Sequence, residues 1–275
     1  METKKAKTKQ REGKKFRGIS ALLVVVISMA IAHWFFHFIM GSPDNFVGGD
    51  NNNHPLDGNM LGIMYKAGWV FPIILGLLVT VIILSVERFF ALTNASGKGN
   101  LINFVYDVKA ELKKGNLAAA EALCAKQKGS VAAIVDAGLK KYKEMETVTG
   151  LSKEQKIEEI KAELEEATAL ELPSMQQNLP IVATISTLGT LLGLLGTVLG
   201  MIKAFSALGN AGAVDSVALS VGISEALGNT AVGIGTAALA IISYSYYSGK
   251  IDNMTYAIDE MGFALTQTYA ETHNS

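Results

Sequence analysis

The chain is poor in the residues on which most enzyme chemistry rests. It has one cysteine, five prolines and four histidines among 275 residues. A single Cys124 excludes an internal disulfide and any paired-cysteine metal or redox site, and reads as a small buried apolar residue. The histidines stand at 33, 37, 54 and 273, so no HExxH helix can form, and no GxxxxGK phosphate loop occurs anywhere. His33 and His37 are four apart and could share a helix face, but they lack a third ligand. They read as polar aromatics at a membrane boundary, and no metal site is expected. No run alternates apolar and polar residues as a half-buried strand does. The expectation is an all-α, non-enzymatic protein with no cofactor and no nucleic-acid partner.

Charge is the other scarcity, and it is local. Uncharged, mostly apolar runs occupy Gly18 to Pro43, Ala67 to Val86 and Leu172 to Ile202, and a fourth from Ser216 to Gly249 carries one charge, Glu225. Each meets the roughly 20 residues needed to span a hydrocarbon core. The mean hydropathy of +0.30 alone would not have shown this. The chain reads as a polytopic membrane protein with four transmembrane helices.

The basic residues set its expected orientation. Eight of the 24 lysines and arginines fall in the first 17 residues and twelve between Lys98 and Lys161. The positive-inside rule therefore places both regions, and with four spans both termini, in the cytoplasm. The expected layout is a basic tail at 1–17, spans at 18–41, 67–92, 179–203 and 217–248, external segments at 42–66 and 204–216, a cytoplasmic helical region at 93–178 and a cytoplasmic tail at 249–275. The first span has a rival reading as a cleaved secretory signal, because Ala30-Ile31-Ala32 resembles a small-residue cleavage site. The apolar run continues to Met40, which favours retention. Residues 42–59, with Pro43, Gly48-Gly49 and Pro55, read as a polar linker without a core of its own. In the soluble part, Ser152 and Gln155 have capping-box spacing and would open a long charged helix. The fourth span, with its apolar continuation through Ile251, Met254, Ile258, Met261 and Leu265, is too long for a bilayer and should project into the cytoplasm.

Two spans carry most of the information. At 100° per residue, Gly189, Gly193, Gly196 and Gly200 lie within about 60° of one another, a smooth ridge on which a neighbouring backbone can sit. Ser186, Thr190 and Thr197 form a second line beside it; their hydroxyls can face a partner or bond back to their own helix. In the fourth span, Glu225, Asn229, Thr236 and Ser243 form one polar stripe. Such a stripe must face a partner helix or a water-filled path, because lipid leaves its donors unmet. A carboxylate at a helix centre costs at least about 2.5 to 3.5 kcal/mol on insertion scales, so Glu225 calls for a shared proton or a nearby cation. Lys203, at the far end of the third span, is the nearest in sequence.

These residues resemble a known family. "GLLGTVLGMIKAF" (193–205), "GISEALGNTAVGIGTAALAI" (222–241), "VERF" (86–89) and the pattern from Leu117 to Leu139 are similar to the MotA/TolQ/ExbB proton-channel family, most of all to its ExbB branch. The resemblance implies a ring, usually a pentamer, whose third and fourth spans line a pore. That pore would hold ExbD-like single-span partners and draw on the proton-motive force of the bacterial inner membrane to drive a TonB-like protein. It implies pore-lining roles for Thr197 and Thr230 and an accessory or structural intramembrane role for Glu225, since the proton-carrying aspartate would belong to the ExbD-like partner; Asn229, where the family would have a small residue, and Thr236 extend the polar stripe beside them. Thr230 lies about 140° from Glu225 on an ideal helix, so either the fourth span departs from ideal geometry or the two face different neighbours. A TolQ-like envelope motor, a motility stator and a non-conducting helical scaffold are the alternatives.

Overall fold

The computed structural model describes residues 20–210 and 216–273, and these are mostly helical, with one isolated bridge between Phe46 and Pro55 and no strand among them. The basic tail 1–17 and residues 211–215 lie outside the described residues; of the expected 204–216 loop, 204–210 are helical and continue the third span, and the last helix begins at Ser216. Helix α1 (Ala21–Phe35) ends in a π-helical turn, Phe36–Met40. It lies along α3 (Phe71–Ser96), where Met29 fills the space that Gly76 leaves open. Val24 joins Leu77, Val81 and Leu84 in a small apolar core between them.

The segment 42–59 is more ordered than a plain linker. Asn45 donates to the carbonyls of Ile39 and Met40 at 2.8 and 3.0 Å, and Phe46 is buried edge-on against Tyr65. Asn59 then caps the short helix α2 (Met60–Tyr65) by accepting from the Gly62 amide. The segment has too few apolar residues for its own core, so it borrows the aromatic surface at the ends of α1 and α2.

Helices α4 (Leu101–Lys113), α5 (Leu117–Gln127), α6 (Gly129–Thr147) and α7 (Lys153–Gln176) build the charged half. Their starts follow local chemistry. Asn100 and Asn116 cap α4 and α5, and Ser152 and Gln155 close a reciprocal capping box on α7. Their apolar faces, among them Val108, Leu112, Val135, Leu139 and Ile160, enclose Ile251, Met254, Ile258, Met261 and Leu265. Cys124 lies in this core, where burial pushes its thiol up to about 12.

The last two helices are the longest. Helix α8 (Leu179–Asn210) and helix α9 (Ser216–Thr272) run antiparallel, and α9 spans about 85 Å at 1.5 Å per residue. Its first part pairs with α8 and its second part is the centre of the charged half. Helices α1, α3, α8 and α9 each hold a stretch long and apolar enough to cross a membrane. Leu191, Leu194, Leu227, Ile234 and Ile242 are more than half exposed on the outer faces of α8 and α9, an apolar surface suited to lipid or to a neighbouring subunit.

Candidate functional site in the hairpin of α8 and α9

The glycine ridge sets the geometry. A Cβ on Gly200 would lie 2.8 Å from the backbone nitrogen of Ala226, and one on Gly189 would lie 3.0 Å from the Gly233 carbonyl oxygen. Gly193 faces Asn229 and Gly233, Gly196 faces the Asn229 side chain, and Gly222 faces Ala204. Any side chain on the ridge would push α9 away from α8. In lipid, helices gain little from apolar burial against one another, so close backbone contact is the main source of attraction.

Polar groups line the two flanks of this seam. On one flank Glu225 is buried, and its Oε1 accepts from Lys203 Nζ at 2.6 Å. The Glu225 side chain is 7% exposed and the Lys203 side chain 56%, so the pair lies at the edge with its lysine reaching outward. Lys203 is thus the cation that the lone carboxylate required. Antiparallel pairing of the hairpin brings the end of α8 beside the start of α9. Gly68, in a left-handed turn at φ +81°, packs on the carboxylate so closely that a side chain there would overlap Oε1. Asn229 donates to the Ala67 carbonyl at 2.8 Å and to the Glu225 carbonyl at 3.1 Å, while its own Oδ1, buried, has no partner. The turn that opens α3 therefore closes this flank.

On the other flank Thr197 and Thr230 meet hydroxyl to hydroxyl. Each also lies within bonding distance of the Gly193 and Ala226 carbonyls, at 3.2 and 3.3 Å. Both are partly exposed. The 140° between Thr230 and Glu225 thus separates two environments: a hydroxyl pair within the hairpin and an ion pair sealed by α3.

The rest of the stripe is satisfied within the chain. Thr236 is fully buried and bonds the Val232 carbonyl of its own helix at 2.8 Å. Ser243 accepts from Ser85 of α3 at 3.0 Å, and Tyr247 donates to the Ser85 carbonyl at 2.6 Å. The hydroxyls of α8 do not face the stripe; of the two arrangements open to them in the sequence, Ser186 and Thr190 take the bond to their own helix. Ser186 and Thr190 turn back to Ala183 and Ser186 of their own helix, and Thr197 meets Thr230 instead. The i−3 or i−4 carbonyl of the same helix is the nearer acceptor, and the ridge leaves these side chains outside the seam.

A second polar cluster was not singled out in the sequence. Arg88 is 1% exposed, pairs with the neighbouring Glu87, and donates from Nη1 to the Ser174 and Met175 carbonyls at 3.2 Å. Asn178, at φ +67° between α7 and α8, donates to Glu87 at 3.3 Å. The guanidinium caps the end of α7 and fixes the break from which α8 departs. Only the adjacency of opposite charges at the end of a span hinted at it.

Comparison with known proteins gives a consistent result. The family model described as the MotA/TolQ/ExbB proton channel family matches residues 120–260, from α5 into the second part of α9. A Synechocystis protein named ExbB-like 3 is 32% identical over 118 residues, 42% of this chain and 56% of that protein. The Tol-Pal system protein TolQ of Haemophilus influenzae is 25% identical over 208 residues, 70% of this chain and 86% of TolQ. A Methanothermobacter thermautotrophicus ExbB homolog is 35% identical over 96 residues, 34% of this chain and 33% of its own length. Two of these three alignments thus cover less than two thirds of the relative.

Proposed function

The chain belongs to the MotA/TolQ/ExbB proton channel family, and we propose that it is an ExbB-type subunit of a motor in the bacterial inner membrane driven by the proton-motive force. In this reading several copies, five as the family resemblance implies, surround ExbD-like single-span partners. Helices α8 and α9 line the pore, and the assembly energises outer-membrane transport through a TonB-like protein. The long cytoplasmic part of α9, clamped by α4, α6 and α7, gives each subunit a stiff base. The subunit performs no covalent chemistry.

The observation that supports conduction is the pair of polar contacts flanking one apolar seam: Glu225 with Lys203, and Thr197 with Thr230. A packing seam can be built from hydroxyls and amides, as Thr236 and Ser243 illustrate, and it gains nothing from a titratable group. Protonation of Glu225 cancels its charge and releases Lys203, a local electrostatic change that a helix hairpin can transmit. The threonine pair offers two hydroxyls, each able to donate and accept, where the hairpin is open to a neighbour. Within this assignment Asn229 and Thr236 hold the hairpin, and Glu225, Thr197 and Thr230 carry the response to protons.

A TolQ-like envelope motor is the second reading, favoured by the wider alignment with Haemophilus TolQ. Co-purification from native membranes, followed by complementation, tests both. An ExbD-like partner and rescue of TonB-dependent uptake support the first reading; a TolR-like partner and rescue of envelope integrity support the second. Glu225→Ala, Thr197→Val and Thr230→Val should each lower energised function with the assembly intact. Recovery of the chain without a single-span partner, together with unchanged function in all three variants, would leave only a non-conducting scaffold.

A further inference from the structure

We propose that His33 and His37, on and just after α1, are the proton-collecting groups for the Glu225–Lys203 pair on the side of the membrane that bears the 42–66 segment. The inference rests on the proton-conducting reading above. It starts from a cavity of about 630 Å³ between the end of α1 and the start of α3, lined by both imidazoles, Tyr65, Trp69 and Gly68. The two rings lie 4.4 Å apart, edge to face, and both are exposed to this opening. They sit in the last eight residues of the first apolar stretch, which ends at Met40, close to the segment that follows it.

The floor of the cavity is one residue thick. Gly68 lines the cavity on one side, and on the other it packs against the Glu225 carboxylate and, slightly farther off, Lys203 Nζ. No Asp, Glu, Lys or Arg is among the lining residues, and Tyr65 is the one other ionisable side chain there, with its ring 6.4 Å from His37. Lys66, next in sequence, turns away to the carbonyls of Asn51 and Asn52. From α3 the imidazoles meet Trp69, Pro72 and Ile73, none of them ionisable. The charges nearest the pair across the floor are therefore those of Glu225 and Lys203.

Imidazole is suited to this task. Its ordinary pKa, about 6.5, lets it take and release protons near neutral pH. In the transfer, an imidazolium of the pair gives its proton, past Gly68, to a Glu225 carboxylate oxygen. The imidazole becomes neutral, Glu225 becomes neutral, and Lys203 keeps its proton but loses its anion. Gly68 admits this because a side chain at that position would overlap the carboxylate and close the floor.

The test uses the full chain with its co-purified single-span partner in proteoliposomes, with proton flux followed while pH is stepped on the 42–66 side alone. Wild type should show an inflection of flux with pH on that side. His33→Gln/His37→Gln should abolish that inflection and lower flux at neutral pH about tenfold, a modest share of what a positioned proton donor contributes. An unchanged flux and profile in this variant, alongside reduced flux in Glu225→Gln, overturns the inference and leaves the conduction reading standing. Unchanged flux in Glu225→Gln also overturns the inference, because the carboxylate would then take no proton, while the conduction reading falls only if Thr197→Val and Thr230→Val are unchanged as well. If the double variant fails to assemble, diethyl pyrocarbonate applied to that side of the assembled His54→Gln protein replaces it. Flux lost on modification and regained with hydroxylamine supports the proposal, and flux unmoved by modification overturns it.

Discussion

The two halves of α9 pack by opposite rules. Between Gly222 and Ala237 the helix meets α8 through glycine and alanine, backbone against backbone, with polar groups on both flanks. Between Ile251 and Tyr269 the same helix buries isoleucine, methionine, leucine and tyrosine among the large apolar side chains of α4, α6 and α7. The difference follows from solvent. Water drives large apolar side chains together in the charged half, at about 25 cal/mol per Å². Lipid supplies no such force, so the membrane half depends on close approach and on polar contacts that hydrocarbon cannot replace. A carboxylate can persist in the second environment because the tight seam holds its lysine in place.

That contrast makes opposite predictions for the two halves. Removing atoms should hurt the charged half most: Leu139, fully buried, should cost about 2 to 5 kcal/mol as Leu139→Ala, read by denaturant unfolding in detergent. Adding atoms should hurt the membrane half: Gly200→Val should cost about 1 to 3 kcal/mol or prevent assembly, read by thermal stability in detergent. If Gly200→Val were neutral, the close contact between α8 and α9 would not matter for stability. Asn229→Ala removes the donor to the Ala67 carbonyl and should cost about 1 kcal/mol in the same assay.

The smallest effect at neutral pH concerns Cys124. Its thiol is raised from 9.0 to about 12, so the folded chain keeps a proton that the unfolded chain releases. Its contribution is fully present below pH 9.0, and stability is lost as pH rises from there towards about 12. Maleimide labelling at about pH 8 should be slow in the native protein and fast once it is unfolded, because the thiolate is the reactive form.

Much of this was legible in the residues. The four uncharged runs, the capping box at Ser152 and the glycine ridge each rest on local spacing, which the sequence displays directly. The partners of the polar stripe were less legible because they depend on register. Gly189 beside Ala237, Gly193 beside Gly233, Gly200 beside Ala226 and Ala204 beside Gly222 define one antiparallel register. That register places Lys203 next to Glu225, yet it becomes visible only once the small residues of both helices are matched. The Ala67-Gly68 turn and the Arg88 clamp had no such signal, since they join segments far apart in the chain.

The central claim is that the polar flanks of the α8 and α9 hairpin respond to protons. The direct measurement is proton flux through the assembled complex in proteoliposomes for Glu225→Ala, Thr197→Val and Thr230→Val, with assembly size checked in parallel. The account predicts reduced flux in each with the assembly intact. Wild-type flux in all three would contradict it.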